Sequence, residues 1–163
     1  MKKEYDVIIA GAGSAGLSAS IFCARQGMKV IILEKSSQTA PFPRGETIRP
    51  DPVLEDLLGP GFMESISYNR TAGRRYYSPW SIRHFSLVRD DASYIFHWQD
   101  LTEGLRREAE KGGVEIKFSC EVTGPVIDKG ICMGVTTKNN GDFYGKSVIA
   151  GDGHNSVFGE ICG

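Results

Sequence analysis

The sequence predicts an α/β fold with a parallel sheet followed by an antiparallel meander. Three observations carry this. Four short apolar runs, 5–10, 29–34, 114–119 and 147–150, suit strands buried on both faces. A glycine-rich turn, Gly11-Ala12-Gly13-Ser14-Ala15-Gly16, separates the first run from a helical stretch. Turn signals crowd residues 121–146: Gly-Pro, Asp-Lys-Gly and Asn-Asn-Gly mark three short antiparallel strands.

The elements follow in order. Tyr5 to Ala10 (YDVIIA) is the first strand. Leu17 to Gln26 is rich in Ala and Leu, lacks proline and reads as a helix, with Gly27 where a C-terminal glycine belongs. Lys29 to Glu34 (KVIILE) is the second strand, completing a βαβ unit. Residues 41–61 hold five of the seven prolines and read as a long connection with one short helix at most, near Val53 to Leu58. Arg74 to Arg89 is aromatic and β-prone, one or two strands around Pro79. Ser93 to Trp98 is a further strand. Asp100, with Glu103 three residues on, is expected to cap the next helix, whose Leu101, Leu105 and Ala109 form an apolar stripe. Lys111-Gly112-Gly113 ends it. Val114 to Ser119 closes what reads as a second strand–helix–strand unit. The last strand runs into Gly151-Asp152-Gly153.

Composition narrows the function classes. The 163 residues suit one domain, or one and part of a second. With 40% apolar and 24% charged residues, wholesale disorder is excluded. Twenty glycines exceed the usual ~7% and point to turns and close backbone approaches. A net charge of −1 with no dense basic run argues against nucleic acid as main partner. No window approaches 18 consecutive apolar residues, so no transmembrane segment is expected. The short apolar run after Met1-Lys2-Lys3 breaks at Gly11 and predicts no secretory signal. Cys23, Cys120, Cys132 and Cys162 form no C-x-x-C pair and no histidine lies at metal-ligand spacing, which predicts no metal site and free thiols in a reducing cytoplasm. His84 and His97 read as structural.

The glycine-rich turn carries the chemistry. Gly11 permits the tight turn out of the strand, Gly13 lets a pyrophosphate approach bare backbone, and Gly16 lets the helix pack close to the sheet. The helix N-terminus offers free N–H groups to phosphates. Glu34, 18 residues past Gly16, can accept hydrogen bonds from ribose hydroxyls. This motif does not separate NAD from FAD. Asp152 stands at the carboxyl end of a buried strand, where α/β sheets bind ligands.

Three motifs stand together: GAGSAG with Glu34, Arg44-Gly45-Glu46, and VIAGDGHNS. The combination resembles the FAD-dependent group that includes p-hydroxybenzoate hydroxylase, flavin-dependent halogenases and geranylgeranyl reductases. It is most similar to the geranylgeranyl reductase type and covers essentially the whole chain. The resemblance implies a Rossmann-like FAD-binding domain with a stub of a substrate-binding sheet in residues 62–96. It implies that Gly11, Gly13, Ser14, Ala15 and Gly16 cradle the FAD pyrophosphate. Glu34 would hold the adenosine ribose, with the adjoining Lys35 a further cofactor-binding candidate, Arg44, Gly45 and Glu46 would lie along the cofactor near the flavin side, and Val122 would meet the adenine through its backbone. Asp152 and Gly153 would hold the ribityl–pyrophosphate end. No catalytic acid or base is identified.

Two departures stand out. The geranylgeranyl reductase type usually has Cys before the Gly-Glu pair, where this chain has Arg44, as halogenases do. The group tends to carry Arg before the second helix, where this chain has Trp98, which shifts the expected contact to Gln99. Members of the group are also more than twice as long, so the chain corresponds to their N-terminal half. A sheet lacking its further strand implies an exposed edge and self-association. The implied function is reduction of prenyl-chain double bonds, with NAD(P)H as a candidate external reductant and a small molecule or lipid as substrate, which leaves room for peripheral membrane contact. The alternatives are a flavin-dependent monooxygenase or halogenase, a truncated non-catalytic nucleotide-binding remnant, and an NAD(P)-dependent reductase.

Overall fold

A computed structural model describes residues 4–80, 84–88 and 93–159. In chain order the elements are β1 (Glu4–Ala10), α1 (Ser14–Arg25), β2 (Val30–Leu33), β3 (Gly45–Ile48), α2 (Pro52–Leu58), α3 (Phe62–Ile66), β4 (Ser67–Arg70), β5 (Gly73–Tyr77), β6 (His84–Val88), β7 (Tyr94–His97), α4 (Trp98–Lys111), β8 (Glu115–Lys117), β9 (Val122–Asp128), β10 (Ile131–Thr137) and β11 (Phe143–Ala150). The chain separates into two compact units, Met1–Phe42 with Thr102–Gly163, and Pro43–Leu101.

The first unit is the expected α/β fold. Its six-stranded sheet runs β8-β2-β1-β11-β10-β9. The pairs β8–β2, β2–β1 and β1–β11 are parallel, and the meander pairs β11–β10 and β10–β9 are antiparallel. The expected third meander strand and the expected last parallel strand are one element, β11, and Gly124-Pro125 lies inside β9 instead of marking a turn. All four residues of β2 are buried, which is why its sequence is an unbroken apolar run. Alternation divides the core. Ile8, Ala10, Ile31 and Leu33 join Cys120, Val135 and Phe158 in one cluster. Val7, Ile9, Val30 and Ile32 alternate with them, and α1 packs on β1 and β2 with Leu17 and Ile21 buried. A fully buried isoleucine such as Ile8 or Ile32 contributes about 1.5–3 kcal/mol.

Both long helices stop by the same device. Gly27 has φ +75°, its N–H donates to Ala24 O, and Met28 N–H donates to Cys23 O. Gly113 has φ +84°, its N–H donates to Glu110 O, and Val114 N–H donates to Ala109 O. Each is a left-handed residue closing paired 5→2 and 6→1 bonds. In α4 the predicted stripe is buried: Leu101, Leu105 and Ala109 are at most 3% exposed.

The second unit holds a three-stranded antiparallel sheet, β3-β7-β4, and the hairpin β5–β6. Here the structure corrects three expectations. The connection 41–61 contains a strand, β3, besides α2. Asp51 caps α2 by accepting from Val53 N–H at 2.8 Å. Strand β7 pairs with β3 and β4 rather than with β8, so β7-α4-β8 is no second βαβ unit within one sheet. Helix α4 begins at Trp98, so Asp100 lies inside its first turn instead of capping it, and Glu103 bonds forward to Arg106 and Arg107. The segment around Pro79 forms two strands paired with each other. His84 falls in β6. Residue 162 lies outside the described residues. Among the described residues, no helix is long and apolar enough to cross a membrane.

Candidate functional site

At the carboxyl ends of β1, β2 and β11 the first unit opens into a cleft of about 260 Å³. Ala10, Gly11 and Gly13 line it from the first turn, Leu33, Glu34 and Lys35 from the end of β2, and Gly151, Asp152 and Gly153 from the turn after β11. Glu121, Val122, Asn155 and Val157 complete it.

The three glycines of the turn are glycines for different reasons. Gly11 has φ +96°, and a Cβ there would stand 2.5 Å from Gly151 O. A Cβ on Gly16 would stand 2.1 Å from Gly11 O and 3.2 Å from Ile9 Cγ2. These two are demanded by the protein itself. A Cβ on Gly13 would meet no atom within 4 Å. Its backbone, φ −76° and ψ 177°, is open to any residue. The fold leaves Gly13 unconstrained and the cleft in front of it clear.

Gly13 is the N-cap of α1 and supplies no side-chain cap, and the first turn holds no acidic residue. The partial positive charge of a twelve-residue helix is therefore unopposed there. Ser14 is half-buried, Ala15 exposed and Gly16 buried within that turn.

The opposite side of the cleft is acidic. Glu34 Oε2 accepts from Ala12 N–H and Oε1 from Ser36 N–H, both at 2.8 Å. Asp152 Oδ2 accepts from Val157 N–H at 2.8 Å, while its Oδ1 is buried without a hydrogen-bond partner. Such an atom costs about 1–3 kcal/mol when left unpaired. Glu121 is exposed and pairs with Lys138 at 3.2 Å. Val122 is half-buried at the start of β9, and Lys35 is exposed. The turn after β11 is tied to itself: Ser156 Oγ accepts from Phe158 and Gly159 N–H, and Phe158 enters the core.

Arg44, Gly45, Glu46 and Gln99 belong to the second unit. Within it Arg44 is held in three ways. Its guanidinium stacks on the Trp98 ring at 4.3 Å, its Nε pairs with Glu46 at 3.1 Å, and its carbonyl accepts from Trp98 N–H at 2.9 Å. Gly45 sits opposite His97 in the β3–β7 register, and His97 makes a tilted ring contact with Tyr68 at 5.1 Å. A Cβ on Gly45 would lie 3.5 Å from the Tyr68 hydroxyl. Tyr94 donates to Glu64, which holds the Glu64 carboxyl below the usual carboxylate range and pushes the phenol up.

Sequence reasoning singled out Gly11, Gly13, Glu34, Lys35, Val122, Asp152 and Gly153, which line one cleft, and Ser14, Ala15 and Gly16, which do not line it. It missed Glu121 and Asn155, which carry no motif of their own. It also missed the role of Gly151, whose oxygen closes on Gly11. The signal was a glycine at each end of that contact. Among the described residues, no group of three His, Cys, Asp or Glu side chains is placed to hold a metal ion.

Comparison with known proteins agrees with this geometry. The family model described as FAD binding domain matches residues 4–163. The digeranylgeranylglycerophospholipid reductase of Methanocella arvoryzae is 28% identical over 175 residues, covering all of this chain and 43% of that protein. The enzyme of the same name from Haloferax volcanii is 28% identical over 153 residues, covering 94% of this chain and 36% of that protein. Among solved structures, a geranylgeranyl bacteriochlorophyll reductase-like protein from Thermoplasma acidophilum superposes with a TM-score of 0.83 at 26% identity, covering all of this chain and 43% of that one. A flavin-dependent brominase gives 0.81 at 25% identity, covering 94% of this chain and 39% of that one. The chain thus spans less than half the length of these relatives. With the family model matching nearly every residue, the chain belongs to the FAD-binding domain family.

Proposed function

We propose that the cleft holds the ADP half of FAD and that the protein acts as an FAD-dependent oxidoreductase of the geranylgeranyl reductase type. The observation that carries the first part is the clear space over Gly13 beside the uncapped N-terminus of α1. Phosphate oxygens suit those N–H groups. The residues fit FAD at the acidic side too. Carboxylate oxygens repel phosphates and accept from sugar hydroxyls, and the unpaired Asp152 Oδ1 needs such a donor. Glu34 keeps a further lone pair on each oxygen for ribose hydroxyls. Val122 offers its backbone to the adenine, and Lys35 and Gly153 flank the sugar–phosphate chain. FAD, when bound, supplies hydride transfer, and the protein supplies position and electrostatics.

The second part rests on the named reductases, whose similarity spans the whole chain. The substrate in this reading is a prenyl lipid, reached by peripheral membrane contact, with residues 62–96 on the substrate side and NAD(P)H as external reductant. Arg44, Gly45, Glu46 and Gln99 lie along the flavin, where the fixed Arg44 cation opposes negative charge. Cys23, Cys120 and Cys132, all free thiols, fit the cytoplasm. Exposed Ile127, Ile131 and Met133 on the β9–β10 hairpin favour self-association. The likeness to a brominase, with Arg44 before Gly-Glu, favours a second reading, oxygen activation for hydroxylation or halogenation.

The test begins with FAD titration followed by flavin fluorescence. Anaerobic incubation of the reduced, FAD-loaded protein with a digeranylgeranyl lipid then separates the readings. Gain of two hydrogens per double bond by mass spectrometry supports the reductase. NADPH-driven O₂ uptake with a phenol and no lipid reduction supports the second.

A further inference from the structure

We infer that Glu34 is a positioning residue for the glycine-rich turn: it holds Ala12 N–H, and through it the pyrophosphate-receiving shape of residues 11–13, before any ribose is bound. This deepens the FAD reading above and rests on it. The carboxylate is not a free acceptor waiting at the end of a strand. One oxygen takes the N–H of Ala12 and the other the N–H of Ser36, each at 2.8 Å. Ala12 is 2% exposed, so its N–H has no ready access to water and depends on this acceptor. The main chain of Glu34 is tied as tightly. Its N–H donates to Lys117 O and its carbonyl accepts from Cys120 N–H, both at 2.9 Å. Glu34 therefore anchors one side of the turn to the segment around β8.

The acceptor that donor takes is a side chain, while its neighbours are held by backbone. On its two sides, Gly11 N–H is taken by Leu33 O at 2.8 Å, and the carbonyl of Gly13 is taken by the N–H of Leu17 at 2.9 Å. The turn is thus pinned by backbone at both ends and by Glu34 in the middle. Without the carboxylate, Ala12 N–H is buried and unpaired, and the cheapest relief is for residues 12–13 to rotate toward water. That rotation moves the bare backbone of Gly13, where the phosphates are to sit. A residue that only touched ribose would leave this backbone alone.

The experiment separates the two roles with a ligand that lacks the ribose hydroxyls. Binding of FAD and of 2′,3′-dideoxy-ADP is measured by calorimetry for the unaltered chain, Glu34→Ala and Glu34→Gln. Exchange of the Ala12 amide is followed by NMR without ligand. Positioning predicts that Glu34→Ala weakens dideoxy-ADP about tenfold and FAD by at least that factor, since FAD also loses its ribose contact. It also speeds Ala12 exchange about tenfold while the Ile8 and Ile31 amides keep their rates. Glu34→Gln keeps one acceptor oxygen for two donors, Ala12 N–H and Ser36 N–H, and should give both readouts between the parent and Glu34→Ala. If dideoxy-ADP affinity and Ala12 exchange stay unchanged in Glu34→Ala while FAD affinity falls, Glu34 serves the ribose alone and the inference is overturned. Failure of the unaltered chain to bind FAD overturns the FAD reading, and Ala12 exchange then still decides the clamp. Should Glu34→Ala not fold, Glu34→Asp, whose shorter side chain falls back from Ala12 N–H, carries the decision: faster Ala12 exchange supports the clamp and unchanged exchange overturns it.

Discussion

Helices α1 and α4 end alike and begin differently. Each stops on a left-handed glycine, Gly27 or Gly113, with the same two crossed backbone bonds. At the start, α1 has a glycine N-cap, no capping side chain and no acid in its first turn. In α4, Asp100 lies in the first turn and Trp98 N–H is taken by Arg44 O. One helix neutralises its own N-terminal charge, and the other leaves it unopposed. Stopping a helix is a local backbone problem with a common solution, while the start records what the helix is for.

The glycines around α1 give the largest way to break this comparison. Gly11→Ala places a methyl 2.5 Å from Gly151 O at φ +96°, and Gly16→Ala places one 2.1 Å from Gly11 O. Overpacking of this kind costs about 1–3 kcal/mol, and the left-handed backbone adds about 1–2 at Gly11. Urea unfolding should show both variants strongly destabilised. Gly13→Ala should leave the unfolding free energy within about 0.5 kcal/mol of the parent, the ordinary range for such sites. Its FAD affinity should nonetheless fall, since only the ligand needs that space. A large stability loss in Gly13→Ala would remove the distinction.

The two stops should respond equally. A Cβ on Gly27 or Gly113 meets nothing within 4 Å, so only φ is at stake. Alanine at either should cost about 1–2 kcal/mol by thermal or urea melting. Unequal costs would mean that surroundings beyond the shared cap matter.

Changing the charge at the two starts should have opposite signs. Ala15→Glu adds an acid to the exposed first turn of α1 and should stabilise the fold by about 0.3–1 kcal/mol. The same charge opposes phosphates, so FAD affinity should drop. Asp100→Asn should destabilise by a similar amount. If Ala15→Glu binds FAD as before, the N-terminus of α1 does not face the phosphates.

The smallest effect is a pH slope on the exposed face of α4. Arg106 beside Glu103 pulls its carboxyl down to about 2. A depressed folded value gives stability that is present above the unfolded value of about 4.3 and is lost as pH falls toward about 2. Glu103 is partly exposed, so screening keeps the effect modest. In Glu103→Gln, the drop in urea midpoint between pH 4.3 and 2 should be shallower than in the parent.

The parallel sheet, the first helix with its stop and the meander were legible in the sequence. Their signals are local: unbroken apolar runs, one glycine at a helix end, and the Asp-Lys-Gly and Asn-Asn-Gly turns, whereas Gly124-Pro125 lies inside β9. Glu34 and Asp152 were legible as cleft residues because each stands at the end of such a run. What only the tertiary structure decided is of another kind. Strand β3, in the proline-rich connection, exists because β7 offers it an edge. Strand β7 joins an antiparallel sheet instead of β8, and strand partners at that separation leave no mark on the local pattern. Gly11 and Gly151 close on each other across 140 residues, and the bond from Ala12 to Glu34 spans 22. The residue types at the cleft follow from chemistry that any short window of sequence displays. Which backbone donor each carboxylate takes, and which glycine keeps clear space in front of it, depends on where distant strands end, and that is set only when the sheet assembles.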